Sequence, residues 1–329
     1  MDLEERVGRN CLPPWNEMDS ANTHGPGPLR LRIGDITFAL TSDDPGLKLG
    51  TEGPVRHFVI AGGEPDVRLR AAWGGSGAAA ALGEKLFDAG TLWQLYRQGK
   101  GYQFRFGSPR FGPEPYKTAS FNEDFTSGEI RLRSDCFQGN LPVYPLEYPL
   151  DELLMVHLLA EGRGVEVHGC GVADCGGAGY LFLGESGAGK STMGRLWTGR
   201  TDRQGGAPAQ VPHILSDDRI ILRFFDGRLW MYGTPWHGEA EMASAQRTAV
   251  SRIFFLGRGE KNEILPLAEA DAVARLLACS FVPFHNRSGL GFALAFLQQV
   301  TKAVPCMRFR FVPDERAVDF VRNAVVAYA

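Results

Sequence analysis

Nowhere in the 329 residues does an apolar run approach the ~18–20 residues that a membrane-spanning helix needs. Cysteine is sparse as well: the six present include no CxxC pair, and Cys11 lies in a polar tail. A disulfide framework is thereby excluded, and Cys170 and Cys175 read as core or incidental thiols rather than metal ligands. There is no excess of positive charge. Lys and Arg number 35 against 38 Asp and Glu, a net charge of −3. That balance argues against a general nucleic-acid or membrane-surface binder and leaves local basic patches open. The opening MDLEERVGR is too acidic and polar for a secretory signal, so a cytoplasmic protein is expected. No internal repeat is seen in either half. What remains is ordinary globular composition, 44% hydrophobic and 22% charged, in a chain long enough for two domains.

Residues 1–28, rich in Pro, Asn, Gly and charge, are expected to form a disordered or loosely attached tail. Residues 29–143 read as a β-rich N-terminal domain. RLRIGDITFAL, VRHFVIAGG, DVRLRAAW, YQFRFG, TASFNEDF and EIRLRSD have strand character, and LGEKLFDAGTLWQLYRQG reads as a helix among them. From Tyr144 onward a second unit reaches residue 329. A helix starts after Pro149 and stops at Gly162. VEVHGCGVAD and YLFLG follow as a strand pair, then the buried strands HILSDDRIILRF and SRIFFLGRG. Helices are expected over about Glu269–Cys279 and Leu290–Ala303, then a last strand CMRFRFVP and a closing helix from Asp314.

The stretch YLFLGESGAGKSTMGRLW carries the first chemistry. Gly184, Glu185, Ser186, Gly187, Ala188, Gly189, Lys190 and Ser191 complete the pattern G-x-x-x-x-G-K-[ST], and Thr192 continues it. A short apolar strand precedes the glycines, and Met193, Leu196 and Trp197 follow at helical spacing. Glycines let backbone N–H groups turn toward phosphate oxygens, and a helix N-terminus adds partial positive charge. Lys190 would reach the β- and γ-phosphates of ATP, and the Ser191 hydroxyl would ligate Mg²⁺.

The second constellation is Asp217 and Asp218, about 27 residues beyond Lys190 in ILSDDRII. Two carboxylates in an apolar strand need a cation or a cleft. Successive strand residues point to opposite faces, so the two should differ in role. One can hold the metal or its water shell, and the other can accept the proton of an attacking hydroxyl. His168, in VEVHGCGV, is either a core histidine or a site residue. YGTPWHGE, with Trp236, His237 and Glu239, is either a structural turn or a loop lining the acceptor site.

Taken together, HGCGVADCGGAGYLFLGESGAGKST and ILSDDRI resemble the HPr kinase/phosphorylase catalytic domain. The resemblance runs from about Leu146 to Ala329 and reaches the closing FRFVPDERAVDFV. It implies an α/β fold akin to phosphoenolpyruvate carboxykinase, a P-loop kinase domain with a mixed β-sheet behind a smaller β-rich N-terminal domain. It implies ATP and Mg²⁺ as cofactors and phosphorylation of a Ser on a protein or peptide. In that scheme Lys190 and Ser191 serve phosphate and metal, Asp217 belongs to the metal site, Asp218 is the base and His168 sits beside the reacting phosphate. HPr kinases carry a Glu-x-Arg-Gly-x-Gly signature where this chain has YGTPWHGEAEM, and the segment TGRTDRQGGAPAQVPH is longer than in typical members. The acceptor is accordingly left open.

The expected function is a Mg-ATP-dependent kinase acting on a hydroxyl, with a protein or peptide as partner and a homo-oligomer compatible with it. The N-terminal domain is a candidate for substrate recognition. Two other classes fit the same motifs: a nucleotide-binding regulatory or scaffold module without phosphotransfer, and a small-molecule kinase or carboxykinase-like enzyme.

Overall fold

The computed structural model describes residues 22–23, 27–74, 82–90, 92–137, 141–198 and 211–327. The expected N-terminal tail, Cys11 and most of the TGRTDRQGGAPAQVPH segment lie outside them. The chain divides into two compact units, Met1–Leu154 and Met155–Ala329.

The first unit is built on one eight-stranded sheet. Its strands are β2 (Leu29–Ile33), β3 (Ile36–Thr41), β5 (Val67–Trp73), β6 (Lys85–Asp88), β7 (Trp93–Gln98), β8 (Gly101–Phe106), β9 (Lys117–Phe121) and β10 (Ser127–Leu132), in the order β2-β3-β5-β10-β9-β8-β7-β6. The short strands β1 (Asn22–Thr23) and β4 (Gly50–Thr51) pair separately. Alternation assigns the faces. Val67, Leu69, Ala71, Ile130, Leu132, Ala119 and Phe104 are buried, whereas Arg68, Arg70 and Arg131 are exposed.

Two expectations are corrected here. LGEKLFDAGTLWQLYRQG is not a helix. It supplies β6 and β7, paired antiparallel, with Gly90 at φ +68° after the first. Trp93 stacks on Phe87 at 4.7 Å, Leu95 is buried, and β7 pairs along its whole length with β8. These cross-strand contacts outweigh the local helical spacing of the apolar residues. VRHFVIAGG is not a strand either. Gly53–Phe58 is a 3₁₀ helix with Pro near its start, and Val59 joins Leu31 through an isolated bridge. Proline fixes φ and removes a donor the ladder would need.

In the second unit, helix α1 (Leu150–Ala160), which begins in the first, leads to strands β11 (Val165–Ala173), β12 (Gly179–Leu183), β13 (His213–Ser216), β14 (Arg219–Phe225), β15 (Arg228–Tyr232), β16 (Arg247–Arg258), β17 (Glu263–Pro266), β18 (Ser280–Phe281) and β19 (Cys306–Phe311). The main path is β12-β11-β14-β15-β16-β19-β17, and β12 also pairs with β16, so the path closes on itself. The pairing is mixed: β12–β16 and β16–β19 are parallel and the rest of the path is antiparallel. The long strand β11 pairs with β12, β13, β14 and β18, and β16 pairs with β12, β15 and β19.

Four helices cover the strands from two cores. Helices α3 (Glu269–Ala278) and α4 (Arg287–Ala303) pack Leu276, Phe296, Leu297 and Val300 against Val167, Leu181, Ile220 and Ile253. Helices α2 (Lys190–Thr198) and α5 (Arg316–Ala327) pack Met193, Trp197, Val318 and Val321 against Val172, Phe182, Phe254 and Phe309. The fold is α/β with mixed sheets. A bidentate pair ties the second core together: Arg322 on α5 donates to both carboxylate oxygens of Asp174, at 2.6 and 3.0 Å, while its guanidinium covers the Trp197 ring at 5.1 Å.

Candidate functional site

All five residues of β12 are buried, and the chain leaves it directly into the glycine loop. Gly189 has φ +102°, and a Cβ there would stand 2.7 Å from Cζ of Phe311 on β19. Only glycine satisfies both constraints. Lys190 opens α2 and is 6% exposed. Its ammonium donates to the carbonyl oxygens of Gly184 at 2.8 Å and Glu185 at 3.0 Å, so the loop wraps around it. The loop tip, Glu185, Ser186 and Gly187, is exposed, while Gly184, Ala188, Gly189, Ser191 and Thr192 are half-buried. An exposed glycine turn feeding a helix N-terminus is suited to anionic oxygens.

Asp217 and Asp218 do not lie within one continuous strand as expected. They form a bend between β13 and β14, both buried, at 1% and 4% exposure. Ser216 builds the bend. Its hydroxyl accepts the N–H groups of Asp218 and Arg219, each at 3.2 Å, and donates to the Trp236 carbonyl at 3.1 Å. The two carboxylates nonetheless diverge, through the bend rather than through strand alternation.

Asp217 faces the loop after β15. Its oxygens accept the backbone N–H groups of Gly238 (2.9 Å), Ala240 (2.9 Å) and Met242 (3.3 Å). Gly238 is required for this approach, since a Cβ on it would fall 2.7 Å from Asp217 Oδ2. Gly238→Ala is expected to push the loop off the carboxylate and cost about 1–3 kcal/mol, the usual penalty for overfilling a packed site. Chemical denaturation of the full chain checks it, and unchanged stability would refute the contact.

Asp218 faces β11. Its Oδ1 lies 3.0 Å from Nε2 of His168 and its Oδ2 accepts from Arg219 Nη1 at 2.7 Å. Arg219 continues the chain of charges inward: Nε is 3.5 Å from Oε1 of the fully buried Glu166, and the guanidinium lies over the Phe281 ring at 4.2 Å. Burial holds the His168 pKa below its ordinary value, and the nearby Lys190 charge adds to this; the hydrogen bond with Asp218 opposes it. The neutral ring must then carry its proton on Nε2, because the carboxylate can only accept.

Of the three residues expected to line an acceptor site, Trp236 is buried and its carbonyl takes the Ser216 and Thr234 hydroxyls. His237 is half-buried with Nδ1 3.0 Å from the Gly238 carbonyl oxygen. Glu239 is exposed, and its carbonyl accepts from Arg195 of α2 at 3.3 Å. They share one loop but not one environment. Glu166 and Arg219 were not anticipated. The available signal was a glutamate two positions before His168, in register with it on a strand otherwise built of apolar residues and glycine.

Among the described residues no cluster of three or more His, Cys, Asp or Glu side chains is arranged for a metal. Mg²⁺ needs less than that, commonly one or two protein oxygens together with phosphate oxygens and water. The half-buried Ser191 hydroxyl and the remaining lone pair on Asp217 Oδ2, which receives one N–H, are hard oxygen donors that suit such an ion.

No protein-family model matches the chain. No curated protein matches it either. Among solved structures it is similar to the Hpr(Ser) kinase/phosphatase from Coxiella burnetii, at 14% identity and a TM-score of 0.24, over 50% of this chain and 93% of that one. A likeness at that identity and score carries no argument about this chain's fold or activity.

Proposed function

We propose that the second unit is a Mg-ATP-dependent phosphotransferase that moves the γ-phosphate to a hydroxyl, with Ser or Thr of a protein or peptide as the acceptor. The observation that carries the reading is the buried Asp218 carboxylate, held between His168 and Arg219 in the same unit as a glycine loop closed on Lys190. A nucleotide-binding module has no use for a carboxylate oriented in this way; a hydroxyl acceptor does.

On this reading the Lys190 ammonium exchanges the Gly184 and Glu185 carbonyls for β- and γ-phosphate oxygens, with the N–H groups of the loop and of the α2 N-terminus beside it. Ser191 and Asp217 would hold Mg²⁺, which would supply charge neutralisation at the phosphates. The acceptor oxygen attacks the γ-phosphorus in line, the bond to the β-phosphate oxygen breaks, and ADP leaves. Asp218 takes the acceptor's proton on its carboxylate. Neutral His168 keeps that carboxylate in place by donating from Nε2. Glu166 fixes Arg219, which fixes Oδ2. A working place inside the cell, where ATP is supplied, follows from the same reading.

The test is transfer of label from γ-labelled ATP into a lysate of the source cell, with the Asp218→Asn protein as control. A labelled protein or peptide band that vanishes with the variant supports the kinase. Label in the metabolite pool alone makes it a small-molecule kinase. Tight ATP binding without any transfer makes it a nucleotide-dependent regulatory module.

A further inference from the structure

The first unit carries several arginines on one face of its sheet. On the polar face of the eight-stranded sheet, Arg68 and Arg70 on β5, Arg131 on β10 and Arg105 on β8 project from positions that alternate with the buried core residues. The cross-strand register puts these side chains on a common surface. One row runs Arg70, Glu129, Ser120, Gln103, Tyr96, Lys85, and the next runs Arg131, Thr118, Arg105, Gln94, Asp88. Neighbouring strands stand ~4.8 Å apart and alternate residues ~6.8 Å apart, so the arginines form a grid of donors. Within these two rows four cations, Arg70, Lys85, Arg131 and Arg105, stand with two carboxylates, Glu129 and Asp88, in a protein whose net charge is −3.

The acids that meet these arginines are of two kinds. Glu129 is a fixed part of the grid, 29% exposed, and joins Arg70 at 2.9 Å to Arg131 at 3.0 Å. Glu64, on Arg68, and Asp43, 3.6 Å from Arg70, reach in from loops with side chains 86% and 83% exposed. Pairs so open to water contribute little and are screened by salt, so the carboxylates of another molecule can replace them. Arg68, Arg70 and Arg131 themselves are 60%, 55% and 50% exposed.

We infer that this face docks an acidic peptide segment, with Arg70, Arg131 and Arg105 as the main contacts and Thr118 and Ser120 as hydrogen-bonding partners between them. Guanidinium groups pair with carboxylates in a planar two-point fashion, which a row of surface arginines offers repeatedly. Single-stranded nucleic acid would need rings for its bases to stack on. In these rows the sole ring is Tyr96, opposite Gln103, and it is 6% exposed with its hydroxyl tied to Gln94. The inference does not depend on phosphotransfer by the second unit.

The probe is a fluorescein-labelled dodecapeptide of alternating Glu and Gly, titrated with the full chain and followed by polarisation. The same peptide with Gln for Glu, and a single-stranded oligonucleotide of equal length, serve as competitors. Binding of the Glu peptide is expected, weakening with added salt and falling about tenfold or more in Arg70→Glu/Arg131→Glu. Because reversing two charges beside Glu129 can unfold the sheet, Arg105→Gln, at a residue with no ion pair among the described residues, is measured beside it and should lose about threefold. ATP binding should be the same in all variants. Equal affinity for the Glu and Gln peptides, stronger competition by the oligonucleotide, or full affinity in Arg105→Gln together with a folded double variant would overturn the proposal.

Discussion

Asp218→Asn is expected to lower phosphotransfer turnover by about 10²–10⁴-fold while ATP affinity stays within about threefold. The amide is nearly the same size as the carboxylate but cannot take the acceptor's proton. Its oxygen can still accept from Arg219 Nη1, and its NH₂ would then meet His168 Nε2. A neutral imidazole can answer by moving its proton to Nδ1, so the hydrogen bond survives in reverse. The ion pair does not survive, and Arg219 keeps its approach to Glu166 in a buried setting. Removing one partner of a buried pair costs about 3–5 kcal/mol when nothing compensates, and Glu166 here compensates part of it. A melting curve therefore belongs beside the kinetics. Single-turnover transfer at saturating ATP separates the effects, and wild-type turnover in a folded variant would remove Asp218 from the reaction.

Lys190→Ala is expected to reduce transfer by about 10³-fold or more and to weaken ATP binding with it. The side chain is the one cation built into the loop, and it closes the loop through the Gly184 and Glu185 carbonyls. Truncation removes two charge-assisted hydrogen bonds, so a stability loss of about 1.5–3 kcal/mol should accompany the kinetic one. Lys190→Arg should not restore activity. A planar guanidinium is wider than an ammonium, and this position is 6% exposed. The distinguishing measurement is the shift in melting temperature on adding Mg-ATP: large for the wild type and small for both variants. An undiminished shift in Lys190→Ala would show that nucleotide binds elsewhere.

How much of this was legible beforehand depended on how local the determinants are. The strand, glycine loop and helix of residues 179–198 lie in one contiguous segment whose spacing reflects backbone geometry, and they were readable residue by residue. The pair Asp217 and Asp218 was readable as an anomaly in an apolar run, but not as a bend. Nothing in ILSDDRII announces that Ser216 will turn the chain by capping two N–H groups and reaching for Trp236. The partners of Asp217 are backbone amides from residues 238–242, which no side-chain pattern reports. The misread LGEKLFDAGTLWQLYRQG fails for the opposite reason. Its local spacing suits a helix, and pairing with β8, invisible in the segment itself, decides the outcome.

The clamp of Arg322 on Asp174 and Trp197 joins a residue of the last helix to one 148 positions earlier. On a chain made from its N-terminus, the glycine loop and α2 emerge long before α5 exists to cover Trp197. Until then, Trp197 has only its strand neighbours, such as Tyr180 and Phe182, and the Asp174 carboxylate lacks the Arg322 guanidinium. A contact of such separation is slow to form, because most of the intervening chain must be ordered first. The second unit should accordingly acquire its proposed nucleotide site late in synthesis, when the segment carrying Arg322 has cleared the ribosome. Nascent chains stalled before residue 316 should retain no ATP, and chains released after 327 should.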